Sequence, residues 1–232
     1  MTGILTDAKD VVTAVAVPHH EPPSVVRRRR IVVAVVLVLG AVVLSFSLRS
    51  TPGRTSFYWL TLLLAAVWTV GAFASGPLHL GCIRWRSRNQ RPVITGSAIG
   101  LVLGGLFVGG GFVAREIAPV RDLITRVLAF SSHGSLWLIV FITLVNGVAE
   151  ELFFRGALYT ALGRFYPTVV STVLYIAATL ASGNPMLGFA AIILGTVCAL
   201  ERRATGGVLA PVLTHLIWGL VMVLCLPPTF GI

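Results

Sequence analysis

The chain has 232 residues, 56% of them hydrophobic and only 11% charged, with a mean hydropathy of +0.92. Soluble domains carry about 25% charged residues, so this composition excludes a soluble globular domain and predicts an all-α, polytopic integral membrane bundle. The formal charge of +10 lies almost wholly in arginines between apolar runs, with no basic patch interleaved with base-stacking aromatics; this argues against nucleic acid as a partner and for the lipid bilayer.

At roughly 20 residues per span plus short loops, the length fits one integral domain of about seven transmembrane helices. Cys82, Cys198 and Cys225 are too few and too scattered for a disulfide framework or a zinc cluster. Residues 1–26 are polar and carry Pro18, Pro22 and Pro23 without helical periodicity. With Arg27–Arg30 they predict a disordered basic tail over 1–30, ahead of an integral membrane domain over 31–232. Four arginines directly before the first span place the N-terminus in the cytoplasm of a multi-pass cell-membrane protein. His19 and His20 read as a solvated pair.

The first span is predicted over Ile31–Leu48 and the second over about Phe57–Ser75, ended by Gly76-Pro77. Arg84, Arg86, Arg88 and Arg91 form a second basic cluster. The third span, about Val93–Ala114, carries Gly96, Gly100 and Gly104 at four-residue spacing, repeated by Gly105 and Gly109. Such a row lets helices approach closely, either inside the bundle or at a homodimer face. Arg115–Ser135 is of mixed polarity and predicts an amphipathic helix lying at the interface. The fourth span begins near Leu136 and continues toward Leu162, before the turn at Gly163–Pro167. The fifth is expected over about Val169–Ser182, the sixth over Met186–Leu200 and the seventh over Val208–Leu226.

Within the fourth span stands Asn146-Gly-Val-Ala-Glu150-Glu151-Leu-Phe-Phe-Arg155-Gly156. Charges at membrane depth cost roughly 2.5–3.5 kcal/mol each on insertion scales, and they usually face a protein interior or a wet cavity. At about 100° per residue, Glu151 and Arg155 lie within about 40° of each other, one turn apart, which suits an internal ion pair. Glu150 points about 100° away, toward the face of Asn146, and is left free for chemistry. By helix rise, Glu150 lies roughly 18 Å from the turn after its helix, Asn184 roughly 26 Å along the fifth segment and His215 roughly 12 Å along the seventh. All three can meet near the bilayer middle. Peptide hydrolysis needs an activated water, a group to orient it and a donor for the oxyanion. Glu150 fits the base, Glu151 with Arg155 fits the positioning pair, and His215 fits an oxyanion donor or a metal ligand. A structural polar knot clamping the helices together is the alternative.

The Glu150-Glu151-x-x-x-Arg155 pattern, with Gly156 and Tyr159 after it and His215 in a later span, resembles the CAAX prenyl protease and bacteriocin-processing family. The resemblance spans about 136–226. It implies a glutamate-type or metallo-endopeptidase within the membrane, with Glu150 activating water on a membrane-associated peptide or protein substrate. In a bacterial setting that substrate need not be prenylated. The family's second motif, Phe-x-x-x-His, falls on Leu180–Asn184, so Asn184 takes the place of the water-orienting histidine. The third, His-x-x-x-Asn, falls on His215–Gly219, with Gly219 in place of asparagine. A divalent metal such as zinc, if bound, would draw on Glu150, Glu151 and His215. The rival functions are a non-enzymatic member that uses the same cavity to bind a partner, and a small proton-coupled transporter with Glu150 as proton carrier.

Overall fold

The computed structural model describes residues 14–16, 21–85 and 88–232. Lys9, Pro18, the His19–His20 pair and Arg86 lie outside these residues. The protein is a polytopic helical membrane bundle. Its helices are α1 (Pro23–Arg49), α2 (Thr55–Ser75), α3 (Val93–Ala114), α4 (Ala118–Leu128), α5 (Leu136–Glu151), α6 (Tyr159–Leu162), α7 (Pro167–Leu180), α8 (Pro185–Thr205) and α9 (Leu209–Thr229). A π-helical stretch, Leu152–Leu158, joins α5 to α6 without a break. Between α2 and α3 a small antiparallel hairpin pairs β1 (Ile83–Trp85) with β2 (Arg88–Gln90), setting Ile83 opposite Gln90 and Trp85 opposite Arg88.

Among the described residues six helices, counting Leu136–Leu162 as one rod, are long and apolar enough to cross a membrane. The seventh expected span, α7, has only 14 residues, about 21 Å of helix against a hydrocarbon core of about 30 Å. It still joins the two ends of the bundle. Near its start Thr168 meets the Tyr159 hydroxyl at 3.0 Å, and past its end Asn184 donates to Leu123 O at 3.0 Å. The turn through Ala181–Asn184 supplies the remaining length. Helix α4, at 11 residues, is too short to cross and lies within the stretch expected to be amphipathic.

The first helix starts earlier than the expected disordered tail allows, because Pro23–Arg30 are helical. Proline suits the first helical turn, where its missing N–H has no partner to lose. Arg29, fully buried, then ties the helix down by pairing with Glu21 and donating to Ser75 Oγ at 3.2 Å and Pro77 O at 3.1 Å. Arg30 Nε donates to Ala161 O at 3.1 Å, and Cys82 N to Thr205 O at 2.9 Å. These bonds gather the ends of α2, α6 and α8 with the start of α1, so the arginines at 27–30, 84, 88, 91, 164 and 202–203 share one end of the bundle, while Arg49, Arg54 and Arg115 stand at the opposite helix ends.

Helices in a membrane gain little from apolar transfer alone and associate through close packing. Trp68 of α2 stacks on Phe153 with centroids 4.5 Å apart and meets Phe154 edge-on at 5.1 Å. Gly40 of α1 makes room for the Trp68 ring. On α3, Gly96, Gly100 and Gly104 face α9, where an added Cβ would come within 2.7–2.8 Å of Ala210 O, Thr214 O and Val221. The glycine row therefore packs inside the bundle, whereas Gly105 and Gly109 have nothing within 4 Å. Cys198 is buried as expected of a small hydrophobe, while Cys225 lies on the outer face.

Candidate active site

Ser135 starts α5 by accepting a hydrogen bond from Leu138 N at 3.3 Å. At Leu152 the winding loosens into the π stretch. Such turns leave backbone groups out of the α-helical ladder and recur at functional sites. Here the backbone gains a partner from another helix, for Arg202 Nε of α8 donates to Arg155 O at 2.7 Å. Phe153 and Phe154 are both fully buried on this stretch, packed against Trp68.

Glu151 and Arg155 have no exposed side-chain surface. Arg155 Nη1 donates to Glu151 Oε1 at 3.0 Å, and Nη2 to Gly195 O of α8 at 3.0 Å. His215 Nδ1 from α9 lies 2.8 Å from the same Glu151 oxygen. One carboxylate thus joins α5, the π stretch and α9, and its guanidinium partner adds α8. The expected ion pair is present. Because the shared oxygen accepts from both partners, His215 Nδ1 carries the proton, and in the neutral ring Nε2 carries the lone pair. That nitrogen is then an acceptor; the oxyanion-donor role expected for His215 would need the imidazolium, whose Nε2 carries a proton.

Glu150 is half-buried and points elsewhere. Its Oε2 accepts from the Tyr175 hydroxyl of α7 at 2.9 Å. The Tyr175 ring lies over the Arg155 guanidinium, 4.4 Å from its centroid, and packs edge-on against Phe154 at 5.0 Å. His215 and Arg155 both lie within electrostatic reach of Glu150. The free carboxylate and the paired one are therefore adjacent but held by different partners.

Asn184 does not join this cluster. Its Oδ1 caps α8 by accepting from Met186 N at 2.8 Å, and its Nδ2 donates to Leu123 O. None of its hydrogen bonds among the described residues reaches Glu150, Glu151 or His215. The physical reason lies in the chain path: Gly183 adopts φ +82° and Pro185 starts α8, so Asn184 belongs to the turn at the end of the bundle. The aromatic residue that α7 presents to the cluster is Tyr175. Four residues on, one turn further along nearly the same face, stands Thr179, whose hydroxyl returns to Tyr175 O at 2.9 Å. An aromatic-x-x-x-polar spacing is thus also present at Tyr175–Thr179, on the part of α7 that meets the cluster.

Three more polar residues escaped the sequence reading. Tyr175 stands in an apolar stretch, and its isolation was the available signal. Glu201 and Arg202, just past the span expected to end at Leu200, are buried on α8. Thr214 Oγ1 lies 2.7 Å from Glu201 Oε1 and 2.9 Å from Gly96 O, linking α8, α9 and α3.

Among the described residues no three His, Cys, Asp or Glu side chains are grouped to hold a metal ion. Glu151 Oε1 is shared by Arg155 and His215 Nδ1, and Glu150 Oε2 is held by Tyr175. Glu151 Oε2 is left without a partner, but the side chains of Glu150, Glu151 and His215 are not grouped as a set converging on one point, as zinc needs.

A cavity of about 840 Å³ lies beside the cluster, lined by apolar side chains that include Leu103, Phe107, Ile142, Phe189 and Met222. Trp218 and Gly219 of α9 line it as well. The Trp218 ring meets His215 with centroids 5.8 Å apart, so this wall separates the cavity from the cluster by one side chain.

Residues 132–221 match the family model described as type II CAAX prenyl endopeptidase Rce1-like. The matched segment holds α5 through most of α9 and every residue of the Glu150–Tyr175–His215 cluster. It shows the likeness to the CAAX prenyl protease and bacteriocin-processing family over this core, roughly two fifths of the chain. No curated protein matches the chain, and no solved structure does.

Proposed function

We propose, from the type II CAAX endopeptidase-like core at residues 132–221, that the protein is an intramembrane endopeptidase in which Glu150 activates water. The observation that carries this reading is the division of labour between neighbouring carboxylates. Glu151 is fully buried and takes both Arg155 and His215 on Oε1, its Oε2 shut away without a partner, while Glu150 is half-buried and is held through Oε2 by a neutral hydroxyl. A base must be positioned yet free to take a proton. His215, with Nδ1 fixed on Glu151, presents an Nε2 lone pair that can hold the second proton of the water. The neighbouring apolar cavity offers room for an apolar stretch of a membrane-associated peptide. The arginine-rich end faces the cytoplasm by the positive-inside bias.

A second reading, a member that binds a membrane peptide without cutting it, is favoured by Gly219, which offers no side-chain donor where the family has asparagine. One experiment separates the two. The purified protein in lipid nanodiscs is given a fluorogenic farnesylated CAAX peptide and a pooled membrane-peptide library, beside Glu150→Gln. Cleavage by the native chain and a loss of at least about 100-fold in the variant are expected for a general base. Cleavage of neither probe by folded native protein favours the binding reading.

A further inference from the structure

The cluster has a base and a water-orienting lone pair, but hydrolysis also needs a donor for the carbonyl oxygen that becomes negative. The donors near Glu150 can be counted. Arg155 spends Nη1 on Glu151 and Nη2 on Gly195 O; its Nε, like Trp218 Nε1, is buried without a partner and makes no hydrogen bond to Glu150. His215 spends its proton-bearing nitrogen on Glu151. Asn146 spends Nδ2 on Ile142 O at 2.8 Å and has only an acceptor oxygen left. Gly219 has no side chain, and Asn184 caps a helix elsewhere. The remaining side-chain donor that touches Glu150 is the Tyr175 hydroxyl.

We propose that Tyr175 is a catalytic residue, whose hydroxyl passes its hydrogen bond from Glu150 to the oxyanion during peptide hydrolysis. The inference rests on the reading that Glu150 is the base. In the resting site the phenol donates to the Glu150 carboxylate. As the water oxygen bonds to the scissile carbonyl carbon, Glu150 takes one water proton and the carbonyl π pair moves onto oxygen. Glu150 is then a neutral carboxyl and a poorer acceptor, while the new oxyanion is a charged and better one. The O–H needs only to rotate about the Cζ–Oη bond to follow the charge. The C–N bond then breaks, the oxyanion re-forms the carbonyl, and the departing amine takes the proton from Glu150. The products are an acid and an amine, and Tyr175 returns to the Glu150 carboxylate.

The ring is fixed for this task. It is 5% exposed and held between the Arg155 guanidinium and Phe154, so the hydroxyl is aimed without loss of side-chain freedom during the reaction. The carbonyl oxygen must then lie on the α7 side of Glu150, within reach of the Tyr175 hydroxyl, which sets the face from which the peptide is attacked.

The test is Tyr175→Phe, which keeps the ring on Arg155 and removes only the hydroxyl. In nanodiscs, with the farnesylated fluorogenic peptide or with a library peptide that the native chain cleaves, kcat should fall about 100–1000-fold, the range for one lost oxyanion donor, and KM should stay within about 2-fold. A phosphonate analogue of the cleaved peptide, which mimics the tetrahedral oxyanion, should lose affinity by a factor matching the loss in kcat/KM. A normal kcat in Tyr175→Phe overturns the proposal, with the Glu150 reading intact if Glu150→Gln is inactive. A lower kcat with unchanged phosphonate binding also overturns it, because Tyr175 then acts only by positioning Glu150. Full activity of Glu150→Gln, or no cleavage by native protein, overturns the Glu150 reading and this inference with it. If Tyr175→Phe does not fold, 3-fluorotyrosine at position 175 keeps ring and hydroxyl, and an unchanged kcat with unchanged phosphonate binding there overturns the proposal.

Discussion

Glu151 and His215 meet through a 2.8 Å hydrogen bond that spans 64 positions of sequence and joins the first long helix of the core to its last. The same carboxylate oxygen takes the Arg155 guanidinium at 3.0 Å. Glu151 is therefore the point at which a local pair, one turn apart, becomes a tertiary clamp. Glu150 can stay free beside it because the neighbouring charge is already satisfied.

Arg155→Ala removes the cation from a pair with no exposed side-chain surface. Glu151 then keeps only His215, and Gly195 O loses its donor. Breaking such a buried pair from one side costs about 3–5 kcal/mol. The expected outcome is a large fall in melting temperature in detergent, read by intrinsic fluorescence. Arg155→Met combined with Glu151→Leu should recover much of it, since no buried charge is left unpaired. A single variant as stable as the native chain contradicts the clamp.

Asn184→His and Thr179→His distinguish the two placements of the second motif. Asn184→His should leave cleavage unchanged and cost about 1 kcal/mol through the lost helix cap. Thr179→His puts an imidazole one turn from Tyr175, on the face that carries Glu150's partner, and should raise kcat. The comparison is made on one peptide at matched amounts of folded protein. A gain from Asn184→His alone would return Asn184 to the site.

Gly100→Val and Gly105→Val test which face of α3 is covered. At Gly100 a Cβ would meet Thr214 O at 2.7 Å and Ile217 at 2.9 Å. Backbone cannot yield cheaply, so destabilisation of about 1–3 kcal/mol is expected, as for other overpacked sites. At Gly105 nothing stands within 4 Å, and valine should be neutral. Equal melting temperatures for the two variants would contradict the packing of α3 on α9.

The class of molecule and the local pair were legible without coordinates. Apolar runs separated by arginines mark the crossings, since a bilayer demands long uncharged helices with every backbone group bonded internally. Glu151 and Arg155 sit four apart, and helix geometry alone brings them together. The identity of Glu150's partner was not legible, because a helix slipped by one residue turns its face by about 100°. Asn184 was placed near the bilayer middle by counting rise along a fifth segment expected to end at about Ser182, whereas the helix stops at Leu180 and Asn184 serves the turn that caps α8. Arg29 was expected in a disordered tail, and Glu201 and Arg202 lie past the expected end of the sixth span; packing of the helix ends against one another buries all three. Spacing along one helix sets what is near in a turn or two. Which side chains meet across helices depends on the rotation, depth and close approach of whole helices, and those are settled only when all of them pack at once.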